Sequence, residues 1–360
     1  MKIISSQVNN QHLSILFVPV SGQSGAGEYY RCLAIADALA AAECPAVIHF
    51  VISRDAAVTR DERFVYHILD RSPSFESNKV IAIMSQHCPA LVIFDSSLRA
   101  AQLQAAKRLG ANTIGIVSRR GKRRRLLSVR KLRYLDEAWI VGAPQQQRSL
   151  TWWERLNCWW WKGSVVFSGA VAVPGSAGIL NQLGIPDTYV LIASGGGGGV
   201  IKGTSAAEHF ARAAEIFATE QGLPVVFVSG PLYAGALPEH EGIRAFRGVS
   251  PAEMATLIDH ARVCVLGGGS LLLQALAAKA LCVAAPAGGA DQPTRIHELE
   301  AEGLVVADYT TSPERMAALA STLVSRNELR SHLEARVASQ ESQNGAEALA
   351  SRIVRILGCH

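Results

Sequence analysis

The sequence predicts an α/β protein made of two doubly wound, Rossmann-like domains with parallel sheets. Three observations carry that reading. Short apolar runs alternate with stretches of helical spacing along most of the chain, the pattern of parallel strands covered by helices. The alternation comes in two series of about half the chain each, parted near "FSGAVAVPGSAG", 167–178, which is rich in small residues, Gly and Pro. Glycine-rich stretches follow apolar runs in both series, and open α/β sheets bind ligands at the carboxyl ends of their strands.

The bounds agree. A chain of 360 residues has room for two domains of ordinary size. With 49% hydrophobic and 18% charged residues it is not a disordered chain. No uninterrupted apolar run has membrane-spanning length, and the start, Met1-Lys2-Ile3-Ile4-Ser5-Ser6, lacks the apolar core of a signal peptide. Seven scattered cysteines form no CxxC pair, which favours neither a zinc site nor a disulfide framework and points to a reduced, cytoplasmic protein.

In the first series, strand-like runs lie near 13–20, 46–52, 90–94, 113–117 and 138–141, with helical stretches near 28–42, 76–88 and 98–109. In the second, strands are expected near 189–193, 224–228, 262–266, 281–285 and 304–306. Helices are expected there near 204–221, 251–260, 270–279 and 294–302, with a final helical segment over 312–357. The expected division is 1–170 for an amino-terminal domain, 171–186 for a linker, 187–340 for a carboxyl-terminal domain, and 341–360 for a terminal helix packing back on the first domain.

Two segments stand apart. Ser118–Arg133, "SRRGKRRRLLSVRKLR", holds nine Lys/Arg and no acid. It reads as a solvated loop, or as a surface for an anionic membrane or a phosphate-bearing ligand. Nucleic acid is not expected, because no aromatics interleave with the charges. "TWWERLNCWWWKG", 151–163, carries five of the six tryptophans. It reads as packing between domains, or as a grip on an apolar acceptor or membrane interface.

Three glycine-rich sites follow strands. The first, "SGQSGAGEYYRCLAIADALA", 21–40, spaces Gly22, Gly25 and Gly27 as G-x-x-G-x-G, which is not the dinucleotide fingerprint. In the second, "SGGGGGVIKGTS", Ile201 precedes Lys202, so a Walker A loop is not supported. The third, "VLGGGSLLLQAL", 265–276, is a strand, three glycines, Ser270 and a helix. Each reads either as a tight turn or as a place where backbone and helix start approach a diphosphate.

"GAGEYYRCLAIADAL" resembles the amino-terminal loop and helix of GT-B nucleotide-sugar enzymes, with the pattern G-x-G-H-x-x-R-C-L-x-L-A of the pseudaminic-acid pathway nucleotide-sugar hydrolase and the spore-coat polysaccharide glycosyltransferases. "FRGVSPAEMATLIDHARVCVLGGGSLLLQALAAKALCVAAPAGGADQPTRIHELEAEGLVV" resembles the donor domain of the MurG-type (family 28) glycosyltransferases. Residues 15–40 and 190–306 carry the resemblance; the basic and tryptophan-rich segments match poorly.

The resemblance implies a GT-B fold and a nucleotide-sugar donor, with a UDP-sugar favoured. It places Gly196, Gly197, Arg247, Val249, Gly267, Gly268, Gly269 and Ser270 about the donor. Asp291 and Gln292 would touch the donor sugar hydroxyls, and Gln274 stands where the family commonly has Glu for the ribose. In the amino-terminal half it places Gly25, Gly27 and Arg31 at the substrate, although Arg31 reads equally as a residue that fixes the first helix. Glu28 takes the place of a family histidine. A carboxylate there can serve as general base, or be a favourable charge at a helix start. Asp95, after "ALVIF", is the competing base; Ser97 replaces the tyrosine that follows it in the hydrolase.

His87-Cys88 and His209 show no matching metal partners, and neither a metal nor a cofactor is expected. The expected activity is inverting, metal-independent transfer of a sugar to a phosphorylated, lipidic or amphiphilic acceptor, in the cytoplasm or at the inner face of the membrane. A nucleotide-sugar hydrolase or epimerase, and a catalytically inactive binding or assembly protein, are the alternatives.

Overall fold

In the computed structural model, residues 13–20, 27–56, 58, 60–118, 120–142, 148–171, 175, 178–339 and 345–359 are described. The first half runs β1 (Ser14–Pro19), α1 (Gly27–Ala41), β2 (Val47–Ser53), β3 (Val65–Leu69), α2 (Ser77–His87), β4 (Leu91–Asp95), α3 (Ala100–Arg108), β5 (Asn112–Val117), α4 (Arg120–Leu126), α5 (Val129–Leu132), β6 (Glu137–Val141), α6 (Trp152–Cys158) and β7 (Ser164–Ser168). Its seven strands form one sheet in the order β3-β2-β1-β4-β5-β6-β7. Every pair in it is parallel.

The second half runs α7 (Ile179–Leu183), β8 (Val190–Ala193), β9 (Val200–Ile201), β10 (Thr204–Ser205), α8 (Ala206–Gln221), β11 (Val225–Val228), β12 (Ile243–Phe246), α9 (Pro251–His260), β13 (Val263–Gly267), α10 (Ser270–Ala277), β14 (Cys282–Ala285), α11 (Gln292–Ala301) and β15 (Val306–Ala307), closing with α12 (Pro313–Ser325), α13 (Asn327–Ala338) and α14 (Gly345–Leu357). Six parallel strands take the order β12-β11-β8-β13-β14-β15, and β9 and β10 make a small antiparallel pair.

The central strands are apolar and buried on both faces, as parallel strands between two helical layers must be. On the first sheet, Ile15, Phe17, Phe50 and Ile93 face one core and Leu16, Val18, Val51 and Phe94 the other. Helix α1 lies in the first of these cores. It is buried around most of its circumference (Tyr29, Cys32, Leu33, Ile35, Ala36 and Leu39) because α14 covers what the sheet does not. Ala346, Leu349, Ala350 and Ile353 give α14 an i, i+3, i+4, i+7 stripe against that core. Arg352 of α14 binds both carboxylate oxygens of Glu137 on β6 at 2.7 and 2.8 Å.

Strands β3, β7 and β12 were not evident in the sequence, and all three lie at sheet edges. The basic segment is not a loop over most of its described length. It forms α4 and α5, which with the turn between them bury Leu126, Leu127 and Leu132. The tryptophan-rich segment forms α6, started by a capping box in which Thr151 and Glu154 bond each other's backbone amides. Trp152, Trp153, Trp159 and Trp160 are exposed, whereas Trp161 is half-buried and donates its indole N–H to the Leu135 carbonyl at 2.7 Å. No helix among the described residues is long and apolar enough to cross a membrane.

Candidate active site

The helix starts that follow β1 and β13 meet between the two sheets. A Cβ on Gly27 would stand 3.1 Å from Ser270 Oγ, which puts the first turn of α1 against the first turn of α10. Beside them opens a cavity of about 900 Å³. Gly121, Arg123 and Arg124 from α4 and Trp153, Glu154 and Asn157 from α6 line one side; Asp291, Thr294, Arg295 and Glu298 at α11 line the other. A smaller cavity of about 210 Å³ lies at the opposite ends of the first sheet's strands, beside Asn112, Asp136 and Lys162.

On the amino-terminal side, Glu28 and Arg31 are three residues apart on α1 and share a helix face. Arg31 is buried. Its Nε and Nη2 donate to the two carboxylate oxygens of Asp95, each at 2.7 Å. Asp95 ends β4 and is fully buried; Ser96 Oγ lies 3.3 Å from its Oδ1. Burial holds the Asp95 carboxyl above its ordinary range, and the Arg31 guanidinium offsets only part of that rise. An arginine keeps its proton, so the two-pronged bond holds Asp95 as a carboxylate. The neighbouring Cys32 thiol is pushed well up, first by burial and then by the Asp95 charge.

Glu28, only partly buried, sits above this pair in the first turn of α1. Its Oε1 accepts from Lys122 Nζ of α4 at 3.1 Å. The next residue of the basic run, Arg123, turns inward. It is buried, bonds Glu154 of α6 and the Ser149 carbonyl, and lies 5.3 Å from the Phe167 ring centre. Arg123 is thus a link between the basic and tryptophan-rich segments and not part of a solvated charge run.

On the carboxyl-terminal side, Gly267, Gly268 and Gly269 carry the chain from β13 into α10. The Gly268 and Gly269 amides already donate to the carbonyls of Ala285 and Gly267, at 2.9 and 2.7 Å. The donors offered to a ligand are therefore those of the first turn of α10, which has no side-chain cap. The glycines serve close approach. A Cβ on Gly268 would fall 2.7 Å from Ile296 Cδ1, whereas one on Gly269 would meet only Gln292 Nε2, at 3.8 Å.

Asp291 and Gln292 begin α11 beside this turn. The Gln292 amide oxygen accepts from the Ala287 amide N–H. Arg295 joins the two parts, donating to the Gly268 carbonyl and the Asp291 carboxylate, each at 2.6 Å. Gln274 lies half-buried on α10. Gly196 and Gly197 follow β8, and the exposed Arg247 donates to the carbonyls of Tyr233 and Gly235 at 3.0 Å. Val249, half-buried, packs on the second core. Gly22 and Gly25 lie outside the described residues.

Lys122, Glu154 and Arg295 were missed as site residues by sequence reasoning. Glu154 had a local signal in the T-x-x-E capping box. Arg295 had one in its i, i+4 spacing from Asp291. Lys122 had none, because its partner Glu28 is 94 residues away.

The two facing parallel-sheet domains define a GT-B fold, the architecture of a class of glycosyltransferases. No protein-family model and no curated protein sequence matches the chain. Solved structures do match in fold. The spinosyn forosaminyltransferase SpnP superposes with a TM-score of 0.69 at 12% identity, over 96% of this chain and 100% of that one. UGT2 of Phytolacca americana, complexed with UDP-2fluoro-glucose and pterostilbene, gives 0.66 at 10% identity, over 95% and 99%. The calicheamicin glycosyltransferase CalG4 gives 0.62 at 16% identity, over 97% and 99%. These likenesses establish the fold and do not single out family 28.

Proposed function

We propose that this protein is an inverting glycosyltransferase that takes a sugar from a nucleotide-sugar donor and joins it to an acceptor hydroxyl, without a metal ion in the cleft. One observation carries the reading: the uncapped first turn of α10 and the Glu28-bearing first turn of α1 face each other beside a cavity large enough for substrates. The donor diphosphate lies at α10, where helix-start amides and the helix dipole stabilise the negative charge that grows as it departs. The acceptor oxygen attacks the anomeric carbon, the bond from that carbon to the diphosphate oxygen breaks, and Glu28 takes the acceptor's proton. Lys122 aims the Glu28 carboxylate, and the Arg31–Asp95 pair positions α1 beneath it. Arg31 and Asp95 act through Glu28 in this scheme and do not touch substrate.

The acceptor lies on the α4–α6 side. Four exposed tryptophans lie in and just after α6, with the Trp152 and Trp153 rings stacked at 3.7 Å, and Trp153 lines the cavity together with the exposed Arg124. Tryptophan and arginine together suit an amphiphilic, phosphate-bearing acceptor at an anionic membrane surface. The test is nucleotide release from UDP-, GDP-, CMP- and dTDP-sugars, with and without lipid-phosphate acceptors, with the product's anomeric configuration read by NMR. Acceptor-dependent release with inversion is the expected result. Release of free sugar at the same rate without acceptor would make the protein a nucleotide-sugar hydrolase, and binding without turnover a sugar-nucleotide binding protein.

A further inference from the structure

The first domain brings together three histidines that the sequence keeps apart. His49 is on β2, His67 on β3 and His87 is the last residue of α2. Side chains alternate along a strand, so His49 shares a face with Val51, and His67 with Leu69. Val51 and Leu69 belong to the core under α2, together with its Val80 and Met84. The register pairs His49 with Val65 and Val51 with His67, which sets the two histidines diagonally across adjacent strands, within reach of each other. Helix α2 then ends over them. The ring centres are 5.3 Å apart for His49–His67, 4.7 Å for His49–His87 and 4.8 Å for His67–His87. His49 Nδ1 and His67 Nε2 are 3.1 Å apart, and one ring nitrogen from each residue lies within 4.8 Å of the other two.

From this geometry we infer a binding site for one divalent transition-metal ion, held by His49, His67 and His87. Three imidazoles and no carboxylate favour zinc, nickel or copper over magnesium or calcium. Tetrahedral zinc with Zn–N bonds of about 2.0–2.1 Å needs ligand nitrogens roughly 3.3 Å apart. The His49–His67 spacing is close to that, and ring rotation at the half-buried His67 and His87 closes the remainder. His67 and His87 are only half-buried, so water can supply the fourth ligand. Beneath the cluster lies the apolar core of Val51, Leu69, Val80 and Met84, and His49 Nδ1 and His67 Nε2 hydrogen-bond to each other. The site lies on the flank of the sheet, and α2 ends where the chain turns back to begin β4, away from the strand ends that border the cleft. A bound ion there joins the edge strand β3 to β2 and α2. The inference does not depend on the proposed transfer reaction.

The experiment uses full-length, tag-free protein, stripped with a chelator and titrated with zinc by calorimetry. Cobalt(II) serves as a spectroscopic stand-in. One equivalent of zinc should bind, the cobalt form should show the absorption of a tetrahedral site, and the melting temperature should rise, because a ligand that binds only the native state stabilises it. His67→Gln and His87→Gln should each weaken zinc binding by more than about a hundredfold, beyond the effect of losing an outer-shell partner, and remove the melting shift. His209→Gln, in the second domain, should bind as the parent does. Failure of the parent to bind zinc would overturn the inference. So would binding that persists in a folded His67→Gln/His87→Gln double variant. If His67→Gln does not fold, His87→Gln at the helix end decides.

Discussion

The two walls of the cleft are made of different material. The amino-terminal wall is ionic side chains: Glu28 with Lys122, and Arg123 with Glu154. The carboxyl-terminal side offers backbone at the glycine turn and the first turn of α10, flanked by the polar side chains of Asp291, Thr294, Arg295 and Glu298 that line the cavity; Arg295 also bonds the Gly268 carbonyl and Gln292 the Ala287 amide. On the proposed reaction, the difference matches what each substrate would need. A diphosphate spreads its charge over several oxygens and is well met by fixed N–H groups and a helix dipole. An attacking hydroxyl must lose a proton, and a positioned titratable side chain is suited to take it. Within the amino-terminal wall the same contrast recurs. Asp95 is buried and bound on both oxygens by Arg31, whereas Glu28 and its partner Lys122 are both partly exposed.

The sharpest way to break this comparison is Glu28→Gln, which keeps shape and hydrogen bonding but not proton acceptance. Turnover should fall by about a hundred- to ten-thousand-fold, with nucleotide affinity and melting temperature near the parent's. Steady-state rates and calorimetric binding check it. Near-normal turnover would remove Glu28 from the chemistry and leave it as a favourable charge at a helix start.

Asp95→Asn should act on stability. Leaving Arg31 buried without its carboxylate should cost roughly 3–5 kcal/mol in a denaturant titration. An activity collapse with unfolding free energy unchanged would instead transfer the base role to Asp95.

On the backbone wall, Gly269→Val tests the donor site where space allows a side chain. Nucleotide binding should weaken by about tenfold or more, since backbone approach is blocked, while the fold stays intact. The equivalent change at Gly268 is not a clean probe, because it strikes Ile296. Unchanged nucleotide affinity in folded Gly269→Val would move the donor elsewhere.

The smallest effect is expected at the surface. Arg124→Ser with Arg125→Ser should weaken binding to anionic vesicles by about 1 kcal/mol per charge at low salt, and by less as salt rises. Arg123 is left out of this variant because it is buried in an ion pair. Identical vesicle binding at low salt would return these arginines to the role of solvated charges.

Much of the fold was legible because its central strands are buried on both faces and read as continuous apolar runs, as in "LSILFV" and "ALVIF". Those missed in the two large sheets, β3, β7 and β12, are edge strands, and the two-residue strands β9 and β10 were missed as well. An edge strand is only partly covered, so its sequence need not be apolar throughout: "VYHIL" and "IRAF" carry polar residues, and "SVVFS" is mostly half-buried. The basic run hid two short helices because its nine charges mask the Leu126, Leu127 and Leu132 anchors.

By itself the sequence determined the α/β class and the glycine turns at strand ends, because periodicity and turn chemistry are local and act over a few residues; Glu28, Asp95, Asp291 and Gln292 became candidates through the family resemblance of the motifs around them. Only the tertiary structure decided which of these residues meet. It set Arg31 on Asp95 across 64 positions and Lys122 on Glu28 across 94. It also gathered His49, His67 and His87 on one flank of the sheet. Pairings of that kind depend on strand order, register and the placement of helices over the sheet. Those are fixed by burying all the apolar faces at once, and no short stretch of the chain contains that information.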